Sequence, residues 1–245
     1  MEPVAIVSDI HGNLEAFQAV LRDIERSATK NINCLGDVIG PPDAAQCLRF
    51  ASSCSLALQG DYERVLLDES SDATLTEPRV LGRIRQVRRE LAGANNDAAD
   101  WLDVVRHWPE LHVEGQVAFV HGSLRRPTAE YVFPEDVYNP RKMDQIFERV
   151  DRICFCGHTH VPGIIEQRAI GVYAFISPEE TAGQYILREY KVICNVGSVG
   201  LPRDGDFRAS YALFAENAIQ FRRVAFDHDR FAQKLQKWEN RWNIN

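Results

Sequence analysis

The chain of 245 residues has no C-x-x-C pair among its six cysteines, no apolar run long enough to cross a bilayer, and no surplus of positive charge. Without such a pair, Cys34, Cys47, Cys54, Cys154, Cys156 and Cys194 read as reduced, buried small hydrophobes of a cytoplasmic protein rather than as a disulfide frame or a zinc site. The amino terminus lacks a basic region and reaches Asp9 after only a short apolar run, so no secretory leader and no membrane association are expected. With 28 Lys and Arg against 35 Asp and Glu, the net charge of -7 disfavours broad binding of nucleic acid or anionic membranes, which requires dense positive charge. Any phosphate must then be handled locally, at a site. The glycine loop of nucleotide-binding proteins, G-x-x-x-x-G-K-[ST], is missing as well. Gly122-Ser123 and Gly197-Ser198 do not sit in a G-x-S-x-G elbow, which sets a serine hydrolase aside.

What is present suits one large core: 45% of the residues are hydrophobic, and a single domain spanning 1–245 is expected. The first third alternates short apolar runs (Pro3 to Val7, Ile32 to Leu35, Ser55 to Leu58) with helical patterns (Leu14 to Ile24, Ala44 to Phe50). Such alternation implies a parallel sheet whose carboxyl ends share one edge, where ligand sites collect. From Val65 to His107 the sequence turns charged and helical, an excursion of two or three helices within about 65–110, with Arg83, Arg85, Arg88 and Arg89 as a solvated face. A hairpin turning at Gly115 is predicted over Val113 to His121, and another strand over Arg152 to Cys156. Strand patterns from Gly163 to Arg223 suggest a second, more antiparallel sheet, and Asp227 to Trp242 a terminal helix.

Five short segments gather the polar chemistry, each after a strand-like run: Ser8-Asp9-Ile10-His11-Gly12-Asn13, Gly36-Asp37, Gly60-Asp61-Tyr62-Glu63, His121-Gly122-Ser123 and Gly157-His158-Thr159-His160. Four of the seven histidines fall in them, whereas His107, His112 and His228 have no comparable setting and read as surface or packing residues. Three aspartates and four histidines make a mixed oxygen and nitrogen donor set, which suits Mn²⁺, Fe, Co²⁺ or Zn²⁺ better than Mg²⁺ or Ca²⁺. In an extended segment, Asp9-x-His11 and His158-x-His160 would each place both side chains on one side. Singly, D-x-H or H-x-H more often marks a turn; the five together, in this order, point to a site.

That order, D-x-H, G-D, a loop at the place of G-N-H-[DE], H and G-H-x-H, resembles the calcineurin-like metallophosphoesterase superfamily from Ser8 to about Ser210. His121-Gly122-Ser123, Gly157 to Pro162 and Asn195 to Asp204 look like its small bacterial branch, related to phosphodiesterases and symmetrical dinucleoside-tetraphosphate hydrolases. The resemblance implies an α/β fold, an αββα sandwich of two mixed β-sheets flanked by helices, with the helical excursion after the third strand. It also implies two divalent transition-metal ions, Mn first, with Fe, Zn, Co or Ni as alternatives. Asp9, His11 and His160 would hold one ion, Asp61, His121 and His158 the other, and Asp37 would bridge them. A bridging hydroxide would attack the phosphate ester in line. Asn13 would touch a substrate oxygen, cap the helix that begins at Leu14, or do both.

One departure stands out: Asp61-Tyr62 occupies the place of the pattern's asparagine and histidine. A carboxylate ligand replaces a neutral amide, and a phenol, ordinarily with a pKa near 10, replaces the imidazole that protonates the leaving group. Substrates with good leaving groups suffer least, which favours phosphodiesters or nucleotide polyphosphates. Glu63 is expected to orient this loop or a ligand rather than bind metal. Arg125, Arg126 and Arg203 are the nearest cations in sequence, either for substrate phosphate or for salt bridges to Glu130, Glu135 or Asp204. The competing reading is a worn metallophosphoesterase frame acting as a binding or scaffold protein. The expected partner is a small phosphoester or nucleotide, and a homo-oligomer stays open.

Overall fold

The computed structural model describes residues 2–27, 29–68, 77–93 and 100–244. Its first half follows the predicted alternation: β1 (Val4–Val7), α1 (Leu14–Glu25), β2 (Asn31–Cys34), α2 (Ala44–Ala51) and β3 (Leu56–Ala57). Helix α1 shows why. Asn13 caps it by accepting from the Ala16 backbone N–H at 3.0 Å, and Phe17, Val20 and Ile24 recur at helical spacing on its buried face. Each such side chain contributes about 2 kcal/mol on leaving water. Three helices follow, α3 (Asp61–Leu67), α4 (Pro78–Gly93) and α5 (Trp101–Arg106). Residues 69–76 and 94–99 of the predicted excursion lie outside the described residues. The hairpin of β4 (Leu111–Glu114) and β5 (Val117–Val120) turns at Gly115, whose φ of +59° lies in the left-handed region that glycine adopts without strain. Then come α6 (Pro140–Phe147), β6 (Ile153–Cys156), β7 (Gly163–Ala169), β8 (Val172–Ile176), β9 (Gln184–Ile186), β10 (Lys191–Asn195), β11 (Ala209–Ala215), β12 (Ala218–Val224) and α7 (His228–Trp242).

Two mixed six-stranded sheets result, ordered β3-β2-β1-β11-β12-β9 and β4-β5-β6-β10-β7-β8. The strands after Gly163 do not form a separate antiparallel sheet as expected. β11, β12 and β9 extend the first sheet from β1, while β10, β7 and β8 extend the second from β6. Hydropathy along a strand reports how many of its faces are covered and not which neighbour covers them. Three apolar layers hold the sandwich. Ile6, Phe119, Phe155 and Phe214 pack between the sheets; Phe17, Val20 and Leu48 pack against the first; Met143, Ile146 and Phe147 of α6 pack against the second.

Arg83 is not on a solvated face. Arg83 and Arg79 both bond to Glu239 of α7, and Trp238 donates to Glu90 at 3.0 Å, so the terminal helix clasps α4. Among the described residues no helix is long and apolar enough to cross a membrane. All six cysteines are free, five of them buried.

Candidate metal centre

Every parallel strand but one runs its carboxyl end into a motif segment. β1 delivers Asp9 and His11, β2 Asp37, and β3 Asp61, while β5 delivers His121 and β6 delivers His158 and His160. β10, the sixth, delivers Asn195 to Gly200, which stitches these loops together. Asn195 Nδ2 donates to the Gly157 carbonyl at 2.6 Å, and Ser198 Oγ and the Gly200 N–H reach the Asp9 carbonyl at 2.8 and 2.9 Å. The segments are not extended as the D-x-H and H-x-H patterns suggested. Asp9, His11, Asp37, His158 and His160 have φ of +56°, +50°, +52°, +67° and +63°. Asp and His are among the few residues other than glycine that tolerate this region, and the tight turns aim their side chains inward. Two glycines make room: a Cβ at Gly60 would collide with Asp37 Oδ1, and one at Gly157 with Asp9 Oδ2.

The seven side chains converge, none more than 4% exposed. They form two groups, Asp9, His11 and His160 in one and Asp37, Asp61, His121 and His158 in the other, each with its donor atoms within 4.8 Å of one another. Asp37 stands between the groups: its Oδ2 lies 3.6 Å from His11 Nε2 and 3.6 Å from His121 Nε2.

Residues 3–218 match the calcineurin-like phosphoesterase superfamily domain. The chain belongs to that superfamily. An uncharacterized protein of Methanocaldococcus jannaschii is 33% identical over 258 residues, covering 96% of this chain and 92% of that protein. The crystal structure of a metallophosphoesterase from Sphaerobacter thermophilus superposes with a TM-score of 0.77 at 28% identity, covering 96% and 93% of the two chains. A hypothetical protein from Pyrococcus horikoshii shares the fold, with a TM-score of 0.72 at 16% identity and coverage of 99% and 96%.

The donor set fits the divalent metals that the superfamily typically binds. His121 Nδ1 faces the Leu35 carbonyl at 3.2 Å and His160 Nδ1 the Leu201 carbonyl at 2.5 Å, so both rings turn Nε2, with its lone pair, toward the centre. There His160 Nε2 meets His11 Nε2 at 3.2 Å, and His121 Nε2 meets His158 Nδ1 at 3.0 Å. Asp9 Oδ1, fully buried, has no aligned hydrogen bond, though His160 Nε2 is 3.1 Å away. Lone pairs and a bare carboxylate oxygen facing one another underground make sense around cations. The fields agree. Burial pushes His11 well below the usual histidine range, helped by His160, and burial with His121 brings His158 down to about 2. Burial opposes ionisation of Asp9, but positive charge at the His160 and His121 positions would hold its carboxyl well below the ordinary range. Asp37 is pushed well above it, by burial and then by Asp61, Glu63 and Asp9.

The remaining sequence candidates separate. Asn13 is fully buried; besides capping α1 it donates from Nδ2 to the Gly200 carbonyl at 2.9 Å, so the capping reading describes it and it does not line the cleft. Arg125 is tied to Glu130 and Gln145, the salt-bridge reading. Arg203 does line the cleft, and Arg223 rather than Arg203 takes Asp204. That cleft, about 240 Å³, opens over His11, Asp37, Asp61, His158 and His160, with Tyr62, Tyr131, Glu77, Val80 and Arg203 as its walls. Tyr62 packs edge-on against His11, with ring centroids 4.5 Å apart. Burial, then Asp37 and Asp61, push its phenol well above the ordinary range.

Sequence reasoning missed Tyr131, Glu77 and Val80. Tyr131 stacks on His158 at 3.6 Å between centroids and 15° between planes, and burial with the nearby Asp61 and Asp37 pushes its phenol up to about 12. No local pattern marks it; the aromatic cluster Tyr131-Val132-Phe133 after the His121 segment was the available signal.

Proposed function

We propose that the protein is a dinuclear metal-dependent hydrolase of phosphate esters in the cytoplasm, acting on phosphodiesters or nucleotide polyphosphates. The observation that carries the reading is the position of Asp37 Oδ2, equidistant at 3.6 Å from a histidine of each group. Asp9, His11 and His160 would hold one ion, Asp61, His121 and His158 the second, with Asp37 shared. Mn²⁺ is the first choice, because four imidazoles favour such ions over Mg²⁺. Bound ions would neutralise phosphoryl oxygens and acidify the attacking water.

The chain's own groups do the rest. Tyr62 N–H donates to Asp37 Oδ1 at 3.0 Å, which leaves Oδ2 for the centre. The Tyr62 phenol stays protonated beside Asp37 and Asp61, so it offers a hydrogen bond to a leaving oxygen without acting as a strong acid. Arg203 supplies a guanidinium for a non-bridging oxygen.

The test is metal analysis of protein purified without added ions, paired with a panel of phosphomonoesters, diesters and dinucleoside polyphosphates. About two metal equivalents are expected, with diester or anhydride turnover abolished by chelation and best restored by Mn²⁺. Full activity after chelation would overturn the reading, and bound metal with no turnover on any phosphoester would favour the scaffold alternative.

A further inference from the structure

The cleft walls carry one acid that no motif accounts for. Glu77 enters just before α4, whereas Arg203 enters from the loop whose backbone N–H donates to the His160 carbonyl at 3.3 Å. Glu77 and Arg203 are the charged residues among the described walls apart from the metal-facing side chains. Neither has an ion pair or a side-chain hydrogen bond among the described residues, with each other or with a third group. Among the described residues Arg79 and Arg83 pair with Glu239 and Arg125 pairs with Glu130, and none of the three lines the cleft. The opening is small as well, about 240 Å³, below the roughly 300–1,000 Å³ of sites that enclose drug-sized ligands.

The described walls suit a single phosphate. A chain of phosphates carries several negative charges and needs a row of cations or backbone donors, whereas the described walls supply one guanidinium and one carboxylate. The remaining wall, Val80 with the Tyr62 and Tyr131 rings, is uncharged and favours an apolar or aromatic arm. We propose that Glu77 is a specificity-determining residue that repels charge beyond the scissile phosphate, confining the enzyme to single-phosphate diesters with uncharged or cationic arms and excluding nucleotide polyphosphates. The proposal rests on the phosphoesterase reading above and narrows it.

The test uses the metal-loaded full chain and two esters of identical chemistry, thymidine 5′-(p-nitrophenyl phosphate) with and without a 3′-phosphate, which adds about two remote negative charges. The wild type should show the lower kcat/KM on the 3′-phosphorylated ester. Glu77→Gln should narrow that ratio by at least about threefold and Glu77→Lys by more, as expected for a charge on the wall of a wet cleft. An unchanged ratio in both variants would overturn the proposal. Calorimetric binding of the products, thymidine 5′-phosphate against thymidine 3′,5′-bisphosphate, gives the same comparison without turnover. If no ester is cleaved, the phosphoesterase reading fails, and the product ratio still decides whether Glu77 sorts ligands by charge.

Discussion

Glu63 grips the loop of Asp37 by its backbone: its Oε2 accepts from the Asp37 N–H at 2.7 Å, while Oε1 accepts from Val38 and Ile39 at 2.9 and 3.0 Å. Oε2 also accepts from the Gly60 N–H at 2.9 Å, so one buried carboxylate ties the second and third strand-end loops together. Glutamine would meet four N–H donors with one oxygen and an NH₂ group that is itself a donor. Glu63→Gln should therefore lower unfolding free energy by about 3 kcal/mol in chelator-treated protein, measured by urea denaturation. A loss under about 1 kcal/mol would show that the grip contributes little.

Asp37→Asn tests the shared position. A ligand common to both groups should cost more than a ligand of one, so the variant should lose at least one metal equivalent and nearly all turnover, whereas His11→Ala should retain the ion of the other group. Retention of two equivalents and ordinary rates in Asp37→Asn, read by elemental analysis and steady-state kinetics, would show that Asp37 does not bridge.

In the proposed site Asp61 would make the ligand carboxylates three instead of two. Two divalent ions then leave +1 at the centre rather than +2, and a dianionic monoester gains more from positive potential than a monoanionic diester does. Asp61→Asn should raise the ratio of aryl phosphate to bis-aryl phosphate hydrolysis at matched metal occupancy. A ratio that stays level or falls would remove this charge argument for diester preference.

Much of this was legible because it is local. Strand-end position, residue type and order bring Asp9, His11, Asp37 and Asp61 to the carboxyl edge of the first sheet and His121, His158 and His160 to that of the second, since parallel strands share a carboxyl edge whatever their order. The hairpin at Gly115 and the helix from His228 were legible from the same local patterns. What escaped depended on partners far away in the chain. The sheet that β11 joins is decided by pairings such as Val4 with Phe214; the fate of Arg83 is decided by Glu239, and the stacking of Tyr131 by His158. The D-x-H segments misled in conformation although they pointed to the right place, because extended and left-handed turns can both bring i and i+2 side chains together.

Five of the seven residues facing the centre stand in left-handed backbone, where glycine is at ease and any side chain costs about 1 kcal/mol or more. At those five positions the fold and the chemistry ask for different residues. A variant library screened only for heat resistance would drift toward glycine at Asp9, His11, Asp37, His158 and His160, gaining robustness as it erased the centre. Sequence drift in a lineage that no longer needed the centre would follow the same slope. The aspartates and histidines at these turns are residues that stability alone would not keep.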